Sequence, residues 1–463
     1  MIYANSCYIC SVIRLNFNEM LLRFIAHNIY SFKEETEFNL FPSSRATHHL
    51  HHKRKCNHTE VLSLSAIYGA NAAGKSNLIK AIIDLRTIVV MGGVGNMNFQ
   101  PYKFQLDRSN HEKPVSMAIE FYDEGIIYYY SVEVDNNLVG YEYLSVSDKK
   151  EDKLVFERIT NGTQRITFGK EYESSEKNKL FSSVLQDKLL NKGTLLLSFM
   201  ATNYADEIPS ITKVYNWFLM KLLIIRDGFQ NGFTPHWLDS NEELKEYVNQ
   251  LLPELKTGIS NLDVSVTPVD EKQLDASWAN TILSLKDKPG IPISLPSKLD
   301  ARVSATMIYE NDAILLKELK TSHVNNDGSV IDMPISLESD GTIRLIDFLP
   351  FFFFFLKTDS VILIDEIERS LHPILIKEIV SRLSEAPDAK GQLIFTTHES
   401  CLLDQHVFRP DEIWFTEKDC NGATHLYPLS DFNIHKTADI EHGYLIGRYG
   451  GIPFLSNLKD LNW

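Results

Sequence analysis

The chain has 463 residues, 44% of them hydrophobic and 23% charged, the balance of a water-soluble globular protein with a sizeable buried core. A net charge of −15 argues against a protein that coats nucleic acid over its whole surface, because phosphate contacts need clustered Lys and Arg. Five scattered cysteines (Cys7, Cys10, Cys56, Cys401 and Cys420) are too few for a disulfide framework, and a reducing, cytoplasmic setting fits them best. Residues 1–19 hold no signal-peptide pattern and read as a dispensable extension, since Met20 opens a cleaner strand. Cys7 and Cys10 within it form a lone C-x-x-C that reads as incidental.

Residues 21–29 and 36–40 read as paired strands. A polar loop over about 43–60 follows, with His48, His49, His51, His52 and His58 among Lys and Arg. Its spacing matches no closed zinc site, so a solvated loop is the expectation, ahead of a basic partner contact and of zinc. An apolar strand from Leu62 to Tyr68 then runs into Gly69-Ala-Asn71-Ala-Ala-Gly74-Lys75-Ser76-Asn77, and a helix leaves from Ser76 to Val90. Val115 to Phe168 reads as a β-meander with turns at Asp123-Glu-Gly and Asp135-Asn-Asn. Tyr128, Tyr129, Tyr130, Tyr141 and Tyr143 lie within it, and strand alternation makes half of them core. Residues 171–260 look mostly helical, and 262–335 mix short strands with loops. The apolar run Leu345 to Leu356 is interrupted by Asp347 and Pro350, is too short to span a bilayer, and reads as a buried helix end. A strand at 361–364, a helix at 372–385 and a strand at 392–396 close the α/β pattern. The expected organisation is an α/β head with its halves at 20–170 and 331–463, split by a largely helical lobe at 171–330.

Four elements carry chemistry. Gly69 to Ser76 sits between an apolar strand and a helix start, where glycines let backbone N–H groups and the helix N-terminus cradle phosphates. Lys75 would reach the β- and γ-phosphates of ATP, and the Ser76 hydroxyl would ligate Mg²⁺. The buried strand Val361–Ile364 ends in Asp365-Glu366, one carboxylate for the Mg²⁺ ion and the next for the attacking water. Gln392-Leu-Ile-Phe-Thr-Thr-His398 is an apolar strand ending in a His placed to sense the γ-phosphate. Ser339-Asp-Gly341-Thr342 opens a further helix and forms a second anion nest, or merely a capped helix start.

In this order the four elements resemble the ABC ATPases, above all the branch of the SMC and overcoming-lysogenization-defect proteins. The resemblance implies an ABC-type P-loop head, a mixed sheet with an antiparallel β-subdomain, split by an α+β insertion. It assigns Ser339, Gly341 and Thr342 to the signature, Ser370 and His372 to the D-loop, and His398 to the switch histidine. Gln100 and Gln105 both remain candidates for the Q-loop. Met20-Leu-Leu-Arg-Phe, Asn28-Ile-Tyr-Ser31-Phe32, Glu338 to Thr342 and Gly447-Arg448-Tyr449-Gly-Gly-Ile-Pro453 narrow the likeness to bacterial ATPases of abortive infection and anti-phage defence, such as the AriA-like subunits of PARIS systems. That family implies head-to-tail pairing of two copies around two ATP molecules, with Ser339 and Gly341 of one chain facing the γ-phosphate held by Lys75 of the other. It also implies a separate effector, a Toprim-like or HNH-like nuclease, since only a short segment follows His398, and a phage-encoded trigger. A DNA-clamping repair ATPase of the SMC type is the alternative, disfavoured by the charge and by the absence of sustained heptads. A transporter motor is disfavoured by the long insertion between P-loop and signature.

Overall fold

The structure, a computed structural model, describes residues 19–95, 97–147, 151–226, 231–271, 278–296, 302–435 and 438–452. Residues 1–18 of the expected extension over 1–19, with Cys7 and Cys10, and the end of the Gly447–Pro453 motif lie outside them. The described residues form two compact units, one within residues 19–226, 359–367 and 380–452, the other within 231–358 and 368–379.

Among the described residues the larger unit contains two large sheets and one two-stranded hairpin. One is antiparallel and seven-stranded, in the order Thr163–Phe168, Asp152–Asn161, Leu138–Ser147, Ile126–Asp135, Val115–Asp123, Met20–His27 and Thr36–Asn39. The meander alternates as the sequence suggests: Tyr128 and Tyr130 are buried, while Tyr129, Tyr141 and Tyr143 sit half-exposed on the opposite face. Buried Glu142 anchors the meander to the helix Leu196–Asn203, accepting from Leu196 N at 2.7 Å and Leu197 N at 2.9 Å. Arg158 compensates that buried charge at 3.5 Å.

The second sheet has six strands in the order Leu222–Ile225, Val361–Ile364, Gln392–Thr396, Leu64–Gly69, Ile413–Lys418 and Thr424–Pro428. All neighbours are parallel except the last pair. Its inner strands are buried along their whole length and mostly apolar, because parallel strands are covered on both faces. The strand Leu222–Ile225 was not legible in the sequence, where a four-residue apolar run within a helical region has no period of its own. The fully buried Gln392 side chain ties the two sheets together, accepting from Leu21 N at 2.8 Å and donating to Leu21 O at 3.0 Å and Leu62 O at 2.7 Å.

The loop at 43–60 departs from the expectation of a solvated segment. Lys53–Cys56 and Thr59–Leu62 pair as a hairpin, and buried Arg409 straps the preceding residues, donating to His48 O at 2.6 Å and Ala46 O at 3.1 Å. A polar composition does not expose a loop whose polar groups find partners within the fold.

The smaller unit carries a five-stranded antiparallel sheet over residues 259–334, with helices Thr234–Ser240, Glu242–Glu254, Ala279–Asp287 and Asp340–Lys357. Phe351 to Phe355 are all buried in the last of these. Trp237 packs edge-on against Phe351 and Phe354, and Tyr247 against Phe353. No helix among the described residues is long and apolar enough to cross a membrane.

Candidate active site

The strand Leu64–Gly69 is wholly buried and ends where backbone must pass close to backbone: a Cβ on Gly69 would lie 2.6 Å from Thr416 O. Gly74 precedes the helix Lys75–Met91 at φ +118°, and a Cβ there would meet the Thr424 side chain at 2.3 Å. Thr424 fixes the turn from below, its hydroxyl donating to Ala73 O at 2.8 Å. Asn77 Nδ2 donates to Ser31 Oγ at 2.8 Å, and Thr424 N donates to Ser31 O at 2.7 Å. The loop tip, with Asn71 exposed, therefore projects from a fixed base.

Lys75 is buried, and its ammonium donates to Gly69 O at 2.7 Å and Ala70 O at 3.2 Å. Its third close partner is His398 Nδ1 at 3.2 Å. An ammonium has only protons to offer, so Nδ1 supplies the lone pair and Nε2 carries the hydrogen. That Nε2 lies 3.9 Å from Glu366 Oε1, close to the carboxylate but beyond hydrogen-bond reach.

Because the strand bearing His398 lies between the P-loop strand and the Val361–Ile364 strand, its end reaches both neighbours. Thr396, fully buried, donates through Oγ1 to Asp365 Oδ1 at 2.6 Å and accepts from Glu366 N at 2.8 Å. Asp365 Oδ1 also accepts from Ser76 Oγ at 3.1 Å. Glu366 sits at φ +53°, a left-handed conformation that costs roughly 1–3 kcal/mol for a non-glycine residue. It turns the carboxylate out of the strand toward His398. Lys75, Ser76, Asp365, Glu366 and His398 thus converge within one unit.

Ser339, Gly341, Thr342, Ser370 and His372 form their own cluster in the other unit. Ser339 is exposed and caps the helix Asp340–Lys357, its Oγ accepting from Thr342 N at 3.2 Å. Arg302 pairs with Asp340 at 2.5 Å, and Glu338 accepts from Thr321 Oγ1 and His323 Nε2, both at 2.7 Å. A Cβ on Gly341 would stand 2.6 Å from Ser370 O, so the segments around Gly341 and Ser370 touch at that glycine. His372 Nδ1 accepts from Ile374 N at 3.2 Å. Gln100 and Gln105 spend their amides on their own loop: Gln100 Nε2 donates to His111 O at 3.4 Å, Gln105 Nε2 to Gln100 O at 2.6 Å and Lys103 O at 2.8 Å.

Thr396 and Thr424 were missed by sequence reasoning. Thr396 left one signal, a polar residue at the C-terminal end of an apolar strand beside a candidate His; Thr424, remote in sequence from the loop it holds, left none.

No curated protein sequence matches the chain. Similar solved structures include an SMC head bound to the C-winged helix domain of ScpA, at 13% identity and TM-score 0.42 over 88% of this chain and 97% of that one. The SMC head domain from Thermotoga maritima aligns at 12% identity and TM-score 0.36, over 89% of this chain and 99% of that one. An Smc head with an extended coiled coil, bound to the C-terminal domain of ScpA from Pyrococcus furiosus, aligns at 12% identity and TM-score 0.42, over 89% and 96%. The sequence profile described as "AAA domain, putative AbiEii toxin, Type IV TA system" matches residues 64–404, from the first residue of the P-loop strand past His398. That span takes in both clusters and most of the chain, and the protein, a mixed α/β P-loop ATPase head, belongs to this family.

Proposed function

We propose that the chain binds and hydrolyses ATP at sites shared between two copies of itself, and that this cycle controls a separate effector in anti-phage defence. The observation that carries the reading is the meeting of Ser76 and Asp365 on one side with Lys75, His398 and Glu366 on the other, around the N-terminus of one helix. A phosphate-cradling loop alone would bind a nucleotide; a carboxylate turned out beside it can also work on water.

Lys75 and the helix N-terminus would take the β- and γ-phosphates, the ammonium exchanging its carbonyl and His398 partners for phosphate oxygens. The hydroxyl and carboxylate oxygens of Ser76 and Asp365, 3.1 Å apart, suit a hard cation of the Mg²⁺ class. When bound, Mg²⁺ would neutralise charge developing on the phosphates. Glu366 accepts a proton from the water that attacks the γ-phosphorus as the bond to the β-phosphate oxygen breaks. Thr396 orients Glu366 through its backbone N–H, and His398, released from Lys75, faces the γ-phosphate. Ser339, Gly341 and Thr342 would complete the site from the second copy, with Ser370 and His372 beside them, and either Gln100 or Gln105 would serve as the Q-loop residue.

The defence reading rests on the family description and on the likeness to AriA-like ATPases. Because ATP joins the copies and hydrolysis separates them, the bound state is a signal that an effector nuclease can read. Affinity purification of the native protein from its host, with and without Lys75→Ala, followed by mass spectrometry, tests this. A Toprim-like or HNH-like nuclease whose recovery changes with the substitution is expected. Recovery without any such partner, together with salt-sensitive binding of duplex DNA by the pure chain, would overturn it in favour of an SMC-type DNA clamp.

A further inference from the structure

We propose that His49, His51 and His52 form a binding site for one transition-metal ion of the Zn²⁺ class, separate from the nucleotide site. One ring nitrogen from each lies within 4.8 Å of the others. Their rings pack at centroid distances of 4.9 Å for His49 and His52, 4.5 Å for His51 and His52, and 5.8 Å for His49 and His51. Sequence spacing alone does not bring them together. His49 takes a left-handed conformation, φ +46° and ψ +50°, just before a single 3-10 turn over Leu50–His52, and that reversal folds the imidazoles onto one another.

The surroundings are those of an oriented ligand set rather than of loose surface histidines. His49 Nε2 donates to Gln405 O at 2.9 Å, and His51 Nε2 to Ser384 O at 2.8 Å, which leaves the lone pair of each ring on Nδ1. His52 has an acceptor on both sides, the Glu412 carboxylate 2.8 Å from Nδ1 and Ser384 O 2.8 Å from Nε2. A carboxylate behind an imidazole is the support that fixes and strengthens a metal-ligating His. Imidazole-only donor sets favour Zn²⁺, Co²⁺, Ni²⁺ and Cu²⁺ over Mg²⁺ or Ca²⁺. Tetrahedral Zn–N bonds near 2.0–2.1 Å place ligand nitrogens roughly 3.3 Å apart, so the rings close by about an ångström and a half at most. A cavity of about 320 Å³ is lined in part by His48, the chain neighbour of His49, and by Gln405, whose carbonyl accepts from His49.

With acceptors on both nitrogens, His52 carries two N–H groups, so ligation through either nitrogen gives up one of those two hydrogen bonds and releases one proton to solvent.

The test is a titration of the tag-free, metal-stripped full chain with Co²⁺, read by its visible absorption and by displacement with Zn²⁺. One equivalent is expected, bound at least tenfold more weakly in His49→Gln and in His51→Gln, whose rings are half-exposed, with far-UV circular dichroism unchanged. The double variant Ser76→Ala, Asp365→Asn should bind the same equivalent unaltered, which separates this site from the nucleotide's. X-ray absorption of the Zn²⁺-loaded wild-type chain should give a nitrogen-dominated shell with imidazole scattering, whatever the variants do. Absence of stoichiometric uptake, uptake unchanged by both His substitutions, or a shell of sulfur or of oxygen alone would overturn the proposal.

Discussion

Replacing Thr396 with Val should impair catalysis and fold stability together, although Thr396 touches no substrate in the proposed mechanism. Its hydroxyl donates to Asp365 Oδ1 at 2.6 Å and accepts from Glu366 N at 2.8 Å, in a fully buried position. Valine keeps the shape and removes both bonds. A hydrogen bond to an ionised carboxylate contributes about 1.5–3 kcal/mol, and a buried N–H left without a partner costs about 1–3 kcal/mol. The expected loss of stability is thus about 3 kcal/mol, allowing for partial relaxation. The Glu366 backbone, already in a left-handed conformation, loses the bond that helps hold it there. A displacement of about 1 Å at a catalytic group can cost about 100-fold in rate. Equilibrium urea unfolding and single-turnover ATP hydrolysis check the two halves, and Thr396→Ser, which restores the hydroxyl, should recover most of both. A Thr396→Val protein within 1 kcal/mol of wild-type stability and within twofold in rate would refute the reasoning.

Glu366→Gln should bind ATP normally yet hydrolyse it at least about 100-fold more slowly, since an amide cannot take up the proton; near-normal turnover would show that the base is another group. Ser339→Asp should abolish turnover without unfolding the chain, because Asp caps a helix as well as Ser while its charge opposes a γ-phosphate. Gly341 is a poorer probe, since any Cβ there meets Ser370 O at 2.6 Å. Mixing Ser339→Asp with Lys75→Ala should recover roughly a quarter of wild-type activity through one complete site per mixed dimer; no recovery in confirmed mixed dimers would argue against a shared site. Asp84 is raised to about 6, by burial first, against the opposing bond from Tyr30 OH at 2.5 Å. The folded chain therefore holds this proton more tightly than the unfolded one. Its contribution is fully present below about pH 4 and is lost as pH rises through 6, at most about 2–3 kcal/mol and less for its partial exposure. Asp84→Asn should gain stability relative to wild type between pH 4 and 7 in chemical denaturation, and parallel pH profiles of the two proteins would count against this assignment.

The sequence by itself determined where the phosphate-cradling loop and the paired carboxylates of the candidate site lie. The P-loop and the strand ending in Asp365-Glu366 are local patterns in which an apolar run, a turn and a helix start stand next to one another, so short-range physics writes them legibly. The meander was equally legible, because alternation and the turns at Asp123-Glu-Gly and Asp135-Asn-Asn are local. The tertiary structure decided what depends on strand order and on residues distant in the chain. It put the His398 strand between the other two, which is why Thr396 reaches Asp365 and His398 reaches Lys75. It recruited Leu222–Ile225 to the edge of that sheet and Thr424 to the base of the phosphate loop. It also turned a polar, histidine-rich stretch into a packed cluster, because Arg409, Glu412 and the carbonyls of Ser384 and Gln405 satisfy its donors and acceptors. Composition records that a segment is polar; only the folded chain records whether its polar groups find partners other than water.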